Sequence, residues 1–282
     1  MTRKSILITG INGYLGSHLA KALSSEYIII GLEYSLDNLF RIANSNYKVY
    51  AAKDGISDTI FTEQTIDIVL HTATFYGKNN EDYIQMFNTN LYSPLNLLDK
   101  AIKHGCALFV NTDTVLNRFV SSYALTKRQF QEWLYLRKNE INVINMQLEH
   151  FYGPGTSPTN FLSYMIDKLK NNEPHIDLTF GEQQRDFIYI DDVVNAYLTV
   201  IQKHDQFADS YSSFQICTNQ LISIKELMNT LKKLTNSNSV LNFGAVPYRE
   251  NELMLSETDN SDLVKLGWKP RYTIKEGLQQ TI

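Results

Sequence analysis

The chain has 282 residues, a length that fits one large α/β domain or one domain with a smaller appended lobe. Its net charge of −4, without a long basic run, argues against nucleic acid or an acidic membrane surface as a partner, and no apolar run reaches the roughly 18 residues of a membrane span. Two distant cysteines, Cys106 and Cys217, indicate reduced thiols of a cytoplasmic protein, and the six histidines show no metal-ligand spacing.

Along the first half of the chain, short apolar runs alternate with amphipathic patterns. Strands are predicted at residues 5–9, 27–32, 47–51, 68–72, 107–111 and 143–148. Helices are predicted at residues 16–24, 88–104 and 122–138. Because alternating βα units with nearly continuous apolar strands form parallel sheets, this half predicts an α/β fold with a doubly wound parallel (Rossmann) sheet.

After residue 152 the pattern changes. The segment YGPGTSPTN is rich in Pro, Gly, Ser and Thr and predicts a loop. Beyond it, helices are predicted at 160–171 and 224–234, and strands at 187–190 and 239–243. We therefore expect a dinucleotide-binding domain at 1–152 and a smaller α/β substrate lobe at 153–282, some of whose elements can return to the sheet.

The segment ILITGINGYLGSHL, which begins at Ile6, places three glycines between a predicted strand and a predicted helix. Gly10, Gly13 and Gly16 allow the backbone to turn tightly and to approach a pyrophosphate, and the helix N-terminus offers its N–H groups to the anion. A plain βα turn with incidental glycines is the alternative. The strand before the loop and the helix after it favour dinucleotide binding.

Glu33 follows Gly16 by seventeen residues and ends the second predicted strand. An acidic side chain in this place accepts hydrogen bonds from the adenosine ribose and repels a 2′-phosphate, which favours NAD(H) over NADP(H). An exposed surface glutamate is the alternative. Arg41 lies nearby in the sequence and could still meet a phosphate, so NADP(H) stays open.

The segment VNTDTVLNRFVSSYALTKRQF contains the candidate catalytic residues. Tyr123 and Lys127 are four residues apart, which places them on one face of a helix. The lysine ammonium and the positively charged nicotinamide ring are expected to lower the pKa of the phenol, and Lys127 could also hold the nicotinamide ribose. Thr112 is expected just beyond strand 107–111, where its hydroxyl could bond the oxygen that Tyr123 protonates. Taken alone, a tyrosine and a lysine at this spacing are usually a solvated helix face.

With these pieces in order, the chain resembles the extended short-chain dehydrogenase/reductases, a family of nucleotide-sugar epimerases, dehydratases and reductases. The matching segments are TGINGYLG, DIVLHTAT, NTNLYSPLNLLDKA, NTDTV, YALTK, FYGPG, RDFIYIDDVVNAYL and LGWKP. The resemblance implies a cofactor site made of Gly10, Asn12, Gly13, Tyr14, Leu15, Gly16, Glu33, Asp54, Thr72, Ala73, Asn90, Tyr123 and Lys127. Asp54 lies in a segment that matches the family poorly, and Asn90 has a helix-surface position as its alternative.

The same resemblance implies how a nucleotide-diphosphate sugar is bound. Arg185 and Arg249 are expected to hold the diphosphate, because guanidinium groups match phosphate oxygens. An ion pair of Arg185 with Asp186 or Asp192 is the alternative. The remaining substrate-binding residues implied are Thr74, Thr112, His150, Asn160, Phe161 and Glu252. Gln147 and His150 depart from the family, which usually has arginine and asparagine there, so a sugar contact and a core position for His150 stay equally open.

A narrower resemblance, to abequose and paratose synthases, lies in LEHFYGPG, GEQQRDFIYIDDVVNAYL, FGAVPYRENELM and LGWKP. It implies reduction of the C4 ketone of a CDP-linked 4-keto-dideoxyhexose for bacterial surface polysaccharide, with proton donation by Tyr123. Those reductases usually use NADPH, whereas Glu33 favours NAD(H), so an epimerase or 4-dehydrogenase that retains NAD is the alternative. A non-catalytic NAD-binding scaffold is the third hypothesis. No metal, nucleic acid or membrane partner is expected.

A homodimer is also expected from the resemblance, because in such families two helices pair with the same two helices of a second subunit. The residues expected to carry the contact follow the apolar faces of helices 88–104 and 122–138. They are Leu91, Leu95, Leu98, Phe130, Trp133 and Leu134. Ordinary core packing of these residues is the alternative.

Overall fold

The computed structural model describes residues 3–77, 82–249 and 252–282. Its strands are β1 (Ser5–Thr9), β2 (Ile28–Glu33), β3 (Lys48–Ala51), β4 (Ile68–His71), β5 (Leu108–Thr114), β6 (Asn142–Leu148), β7 (His150–Tyr152), β8 (His175–Leu178), β9 (Gln184–Tyr189), β10 (Tyr211–Ile216), β11 (Leu221–Ser223) and β12 (Val240–Phe243). Its helices are α1 (Tyr14–Leu23), α2 (Thr59–Glu63), α3 (Tyr83–Phe87), α4 (Ser93–Lys103), α5 (Ser122–Leu136), α6 (Phe161–Lys170), α7 (Ile190–Lys203), α8 (Ile224–Leu234), α9 (Ser261–Lys265) and α10 (Ile274–Thr281).

Seven strands form the main sheet in the order β10-β6-β5-β4-β1-β2-β3. β1 pairs in parallel with β2 and with β4, and the pairs β2–β3 and β4–β5 are parallel as well. Every residue of β1 and β4 is buried, as expected for central strands that helices cover on both faces. The predicted doubly wound α/β fold is confirmed.

The chain divides into two compact units, which are described separately. Unit 1 contains Met1–Gln147 and Tyr197–Phe214, and unit 2 contains Leu148–Ala196 and Gln215–Ile282. The core of unit 1 joins strand residues such as Val69 and Phe109 to helix residues such as Leu97 and Phe130, all fully buried. Burial of each such side chain contributes about 1.5–3 kcal/mol, which fixes the helices on the sheet.

Unit 2 holds a three-stranded sheet in the order β11-β9-β7 and a two-stranded pair of β8 and β12. Its most regular amphipathic helix is α8, in which Ile224, Leu227, Met228 and Leu231 are buried at i, i+3, i+4 and i+7. The Ser223 side chain accepts a hydrogen bond from the N–H of Glu226 and so caps this helix, and two lysines in the last turn complement its dipole.

Several element bounds differ from the prediction. The predicted helix 88–104 is two pieces, a π-helical turn at Asn88–Tyr92 and α4, and the short helix α3 before it was not predicted. The predicted strand 107–111 continues to Thr114 as β5. Asp113 and Thr114 are polar but buried, so the apolar pattern of the sequence ended before the strand did. The helix α7 was not predicted, since its apolar face follows directly after the strand-like run that ends at Tyr189. None of the helices in the described ranges has the length and apolar character to cross a membrane.

Candidate active site

The glycine loop joins β1 to α1 in unit 1. Gly10 has a φ of +64°, in the left-handed region that favours glycine. A Cβ on Gly16 would lie 2.2 Å from the carbonyl oxygen of Gly10, so only glycine lets α1 begin this close to the loop. The helix starts at Tyr14 after Gly13, and Leu15 is buried in its first turn. The loop therefore presents a helix N-terminus beside a close backbone approach, which suits a phosphate group.

Glu33 lies directly against this loop. The N–H of Asn12 donates to Glu33 Oε2 at 3.0 Å, and Asn12 Oδ1 accepts from the N–H of Arg41 at 2.9 Å. The Arg41 guanidinium lies 5.7 Å from the ring centroid of Tyr14. A carboxylate and a guanidinium thus both flank the loop, so the choice between NAD and NADP stays a prediction.

The end of β4 is tied to the end of β1 beside the glycine loop. Thr9 Oγ1 accepts hydrogen bonds from the N–H groups of Thr72 and Ala73, both at 3.1 Å. Ala73 Cα lies 2.9 Å from the place where a Cβ on Gly10 would stand. The structure therefore brings Thr72 and Ala73 together with the loop. Asp54 lies in an exposed turn after β3, and no hydrogen bond joins it to the described loop residues.

Asn90 is buried at 1% exposure inside the π-helical turn, so the helix-surface alternative was wrong. Its side chain accepts from the N–H of Phe75 and donates to the carbonyl oxygen of the same residue, both at 2.8 Å. It also contacts the hydroxyls of Thr74 and Thr126 at 3.3 Å. Asn90 therefore clamps the segment after β4 to α5, and π-helical turns of this kind are frequent at functional sites.

Tyr123 and Lys127 lie on one turn of α5, as the spacing predicts. The Tyr123 hydroxyl is hydrogen-bonded to Thr74, and its ring lies 4.9 Å from the ring of Tyr76. Lys127 is only 2% exposed, and no described residue lies within ion-pair distance of its ammonium. A buried charge without a partner is costly, which is the arrangement expected of a side chain that binds a ligand.

Thr112 was predicted just beyond the end of a strand, but it lies inside β5. Its hydroxyl is hydrogen-bonded to the hydroxyl of Tyr197 at 2.8 Å. Tyr197 is fully buried on α7 and was missed by the sequence analysis. The segment VVNAYL, in which it lies, belongs to a matching motif and was the available signal.

In the chain alone, burial dominates the electrostatics of the phenol. Burial, followed by the charges of Tyr76 and Asp113, raises the pKa of Tyr123 well above its usual value, although the Thr74 hydrogen bond opposes this. Burial lowers the pKa of Lys127 to about 8. Without a ligand the phenol is therefore neutral at physiological pH and is a proton donor.

Arg185 is the buried cation of unit 2, at 7% exposure on β9. It pairs with Glu252 at 2.8 Å, so the alternative pairing with Asp186 or Asp192 was wrong. Those two carboxylates accept hydrogen bonds elsewhere: Asp186 accepts from the N–H and hydroxyl of Thr218, and Asp192 from backbone N–H groups. Burial lowers the pKa of Arg185, and the nearby charges of Glu252 and Glu149 oppose that effect.

Arg249 is exposed after β12, and its carbonyl oxygen accepts a hydrogen bond from the N–H of Glu252 at 3.1 Å. The two arginines predicted to bind a diphosphate therefore both contact Glu252, one through its side chain and one through the backbone. Residues 250–251 lie outside the described residues.

His150 is half-exposed, and its Nδ1 lies 2.8 Å from Glu149 Oε2, a carboxylate that is almost fully buried. Its ring packs 5.5 Å from that of Phe187 on the neighbouring strand. Asn160 caps α6, since its side chain accepts from the N–H of Leu162, and Phe161 begins that helix partly exposed. In the described ranges, no group of three or more His, Cys, Asp or Glu side chains could hold a metal ion.

The chain is similar to known proteins over most of its length. Residues 6–217 match the model of the NAD dependent epimerase/dehydratase family. The chain is 32% identical to the CDP-abequose synthase of Salmonella typhimurium, over 99% of this chain and 98% of that protein. It is 28% identical to the dTDP-D-glucose 4,6-dehydratase of Mus musculus, over 99% of this chain and 88% of that protein.

Solved structures show the same fold. The UDP-glucose 4-epimerase of Thermotoga maritima, solved with UDP-glucose, superimposes with a TM-score of 0.85 at 24% identity, covering 98% of this chain and 97% of that one. The UDP-glucuronic acid 4-epimerase of Bacillus cereus, solved with UDP-glucuronic acid and NAD, gives 0.85 at 21% identity over the same shares. The chain is therefore an enzyme that belongs to the NAD dependent epimerase/dehydratase family.

Proposed function

We propose that this enzyme reduces the C4 ketone of a nucleotide-linked 4-keto-dideoxyhexose, with a CDP-linked sugar favoured, in the synthesis of bacterial surface-polysaccharide sugars. The observation that carries the proposal is the neutral, desolvated phenol of Tyr123 next to the buried ammonium of Lys127. A neutral phenol suits proton donation to a ketone oxygen. The similarity to CDP-abequose synthases over nearly the whole chain supports the substrate class.

The chemistry of the residues around the glycine loop is compatible with a dinucleotide cofactor. Glycine at positions 10 and 16 lets the loop, Ala73 and the start of α1 pack closely, which leaves the helix N-terminus to a phosphate. Glu33 lies beside the loop, and Lys127 has no ion-pair partner among the described residues. When bound, the nicotinamide supplies the hydride that adds to the C4 carbon. In the proposal, Lys127 donates hydrogen bonds to the nicotinamide ribose and Tyr123 gives its proton to the C4 oxygen, so that a ketone becomes an alcohol.

Thr112 is proposed to bond the same oxygen as Tyr123. Its hydroxyl can do so while it stays bonded to Tyr197, because a hydroxyl donates one hydrogen bond and accepts two. Thr74 holds the phenol in place from the other side. These contacts orient the proton donor and exclude water from it, which keeps the proton available for the ketone oxygen.

In unit 2, Arg185 and Arg249 are proposed to hold the diphosphate, with His150, Asn160, Phe161 and Glu252 around the rest of the nucleotide sugar. Residues 153–282 would then provide most of the substrate lobe. Because Glu252 already pairs with Arg185, a diphosphate has to share or displace that carboxylate when it binds.

The test is to incubate the purified enzyme with a CDP-4-keto-3,6-dideoxyhexose and either NADH or NADPH. We expect oxidation of the cofactor and a sugar product two mass units heavier, as two hydrogens are added. A keto sugar that stays unchanged in mass, with no net oxidation of either added cofactor, would contradict reduction.

A second candidate is a C4 epimerase or 4-dehydrogenase that retains NAD, and Glu33 at the glycine loop is the observation that favours it. Mass analysis of nucleotide released from denatured protein separates the two functions, because only the second keeps NAD through purification.

The substitution Glu33→Ser is expected to raise the use of NADPH relative to NADH by about tenfold, since a repelling carboxylate is removed. A wild-type enzyme that already prefers NADPH strongly would contradict this role of Glu33. The third hypothesis, a non-catalytic scaffold, was wrong, because the chain belongs to an enzyme family.

A homodimer stays a proposal, but its residues need correction. Leu91, Leu98, Phe130 and Leu134 are core residues of unit 1, so only Trp133 of the predicted set is largely exposed. The exposed apolar side chains on α3, α5 and the turn between α3 and α4 are better candidates for a self-contact. They are Ile84, Phe87, Tyr92, Trp133 and Leu136. Light scattering at micromolar concentration is expected to give the mass of two chains.

The two cysteines are unpaired and buried, which supports the proposed cytoplasmic location.

A further inference from the structure

The hydroxyls of Tyr197 and Thr112 meet in unit 1 at a distance of 2.8 Å. Tyr197, on α7, is fully buried, whereas Thr112, on β5, is partly exposed. Neither hydroxyl has a further hydrogen-bond partner among the described residues. Each of the two groups can donate or accept, so either could supply the proton of this bond. The direction of the bond decides whether Thr112 can still donate to a ligand.

Both oxygens are held by the fold, so the positions of the two hydroxyl protons are the freedom that remains. On α7, Tyr197 lies on the same buried face as Val200 and Ile201, at i+3 and i+4, and none of these three side chains is exposed. On β5, the branched Cβ of Thr112 restricts rotation of its side chain. The phenol of Tyr197 therefore stays in reach of Thr112 unless the core opens.

The two directions differ in what they leave unpaired. If Thr112 donated, the O–H of Tyr197 would find no acceptor in a fully buried site, and such an unpaired donor shifts a balance by about tenfold or more. If Tyr197 donates, the unused proton belongs to Thr112, which is partly exposed and can reach a ligand. A phenol is also more acidic than an aliphatic alcohol and is the stronger donor. Burial and acidity therefore both favour Tyr197 as the donor.

We propose that Tyr197 is a positioning residue, which donates to Thr112 Oγ1 and so keeps the O–H of Thr112 as a donor for the carbonyl oxygen of the substrate. A ketone oxygen only accepts hydrogen bonds, so Tyr123 and Thr112 can bond it together. Both donors stabilise the negative charge that grows on this oxygen as hydride is added to C4. Tyr123 then gives up its proton, whereas Thr112 keeps its own. The inference rests on the proposed function for the identity of the oxygen, but not for the direction of the bond.

NMR of the full, cofactor-free chain tests the direction of the bond. In protein labelled with ¹³C in its tyrosine rings, the hydroxyl proton of Tyr197 is identified by its correlation with the ring and by its loss in Tyr197→Phe. We expect a downfield signal, as donated hydroxyl protons give, that moves upfield in Thr112→Val, which keeps the shape of the side chain without its oxygen. Thr112→Ser keeps the hydroxyl and is the matched control, in which the signal should stay downfield.

Kinetics test whether Tyr197 acts through Thr112. In the reduction assay, Tyr197→Phe is expected to lower kcat by about fivefold and to change KM by less than about twofold. The reason is that Thr112 loses its orientation and the bond that strengthens it as a donor. In a Thr112→Val background the same substitution should lower kcat no further, whereas in a Thr112→Ser background it should still lower kcat by about fivefold.

Tyr152→Phe is the matched control for the loss of a buried phenol. The Tyr152 hydroxyl, in unit 2, donates to the carbonyl oxygen of Ile274 at 3.2 Å, and its removal should leave kcat unchanged. If Tyr197→Phe does not fold, the NMR signal of Tyr197 is identified instead by its proximity to the methyl group of Thr112, and Thr112→Val completes the test.

A downfield Tyr197 proton that is missing, or that Thr112→Val does not move, would overturn the proposed direction of the bond. Additive losses of kcat from Tyr197→Phe and Thr112→Val, or a loss that lies in KM, would overturn the positioning role. If the signal moves as expected in an enzyme that reduces no ketone, the proposed function is refuted and the direction of the bond stands.

Discussion

The two units treat their buried cations in opposite ways. In unit 2, Asp186 and Asp192 accept two or more hydrogen bonds each from neutral groups, and Arg185 has a direct ion pair. In unit 1, Asp113 also accepts two hydrogen bonds from neutral groups, but Lys127 has no direct partner among the described residues. Arg185 is therefore paired within the fold, whereas Lys127 keeps the cost of its burial.

This difference separates charges that hold the architecture from charges that wait for a ligand. A buried group with all its hydrogen bonds made loses stability when it is removed. A buried group that lacks a partner gains little from the fold and can interact strongly with a ligand that supplies the partner. Arg185 falls between the two, because a ligand can reach it only in competition with Glu252.

The largest expected effect tests the catalytic role of unit 1. Tyr123→Phe should lower kcat by about 10²–10⁴-fold, because it removes the transferable proton and little else. Cofactor affinity, measured by fluorescence titration, should be retained. Tyr211→Phe is the matched control, since that hydroxyl is bonded to Gln131 away from the proposed proton donor. Equal activity of the two variants would remove Tyr123 from the mechanism.

The next effect concerns the paired charge of unit 2. Arg185→Met should lower kcat/KM, mostly through a higher KM. The expected loss of binding free energy is about 2–4 kcal/mol, because a diphosphate contact is lost in the ground and transition states alike. Arg271→Met, at an exposed arginine of the same unit, should leave KM unchanged. A variant that unfolds would instead show that the Arg185–Glu252 pair is structural, and a normal KM would place the substrate elsewhere.

The third prediction tests whether the charges of unit 2 are structural. Asp192→Ala should lower the free energy of unfolding by about 2–3 kcal/mol, because the N–H groups of Arg271 and Tyr272 lose their acceptor. Urea denaturation measures the change. Asp191→Ala, at the exposed neighbour, is the control and should change stability by less than about 0.5 kcal/mol. Equal losses in both variants would mean that the buried hydrogen bonds contribute nothing specific.

The smallest effect should have the opposite sign. Replacing both buried charges of unit 1, as Lys127→Met with Asp113→Asn, should raise the free energy of unfolding by about 1–2 kcal/mol at pH 7 while abolishing turnover. Lys127 has a folded-state pKa of about 8 against 10.5 for the free side chain, so its charge costs stability below pH 8 and the cost disappears as pH rises towards 10.5. The advantage of the double variant should therefore shrink over that range. A destabilised variant would mean that this pair supports the fold as the charges of unit 2 do.

The sequence predicted the fold and the local geometry of the glycine loop and of the Tyr123–Lys127 spacing, because periodicity and glycine spacing are local. The loop Gly10–Gly16 and the pair Tyr123 and Lys127 each depend on one turn of chain, and the structure places both groups as expected. Burial, by contrast, depends on distant segments. The spacing of Tyr123 and Lys127 does not show that, in the chain alone, surrounding side chains desolvate the phenol of Tyr123 and raise its pKa.

The sequence also did not predict contacts between residues that are far apart in the chain. Arg185 was assigned Asp186 or Asp192 as its possible ion-pair partner, since these are near in sequence, but it pairs with Glu252, 67 positions away. The same limit hid Tyr197 beside Thr112, 85 positions apart, and Asn145 beside Asp113, 32 apart. The segment NTDTV contains Asp113, but only the packing of β5 against β6 shows that Asn145 holds its carboxylate.

The π-helical turn at Asn88–Tyr92 gives the site an unusual sensitivity to chain length. An α-helix turns by about 100° per residue, so the extra residue of a π turn is what sets the angular position of Asn90 relative to α3. Deleting one residue here would convert the turn to regular helix and rotate Asn90 away from the backbone of Phe75, while most apolar contacts of α4 could re-form one step along. Such a deletion mutant should stay folded yet lose the hold on the segment that follows β4, so a change in spacing alone, without any change in chemistry, would uncouple that segment from α5.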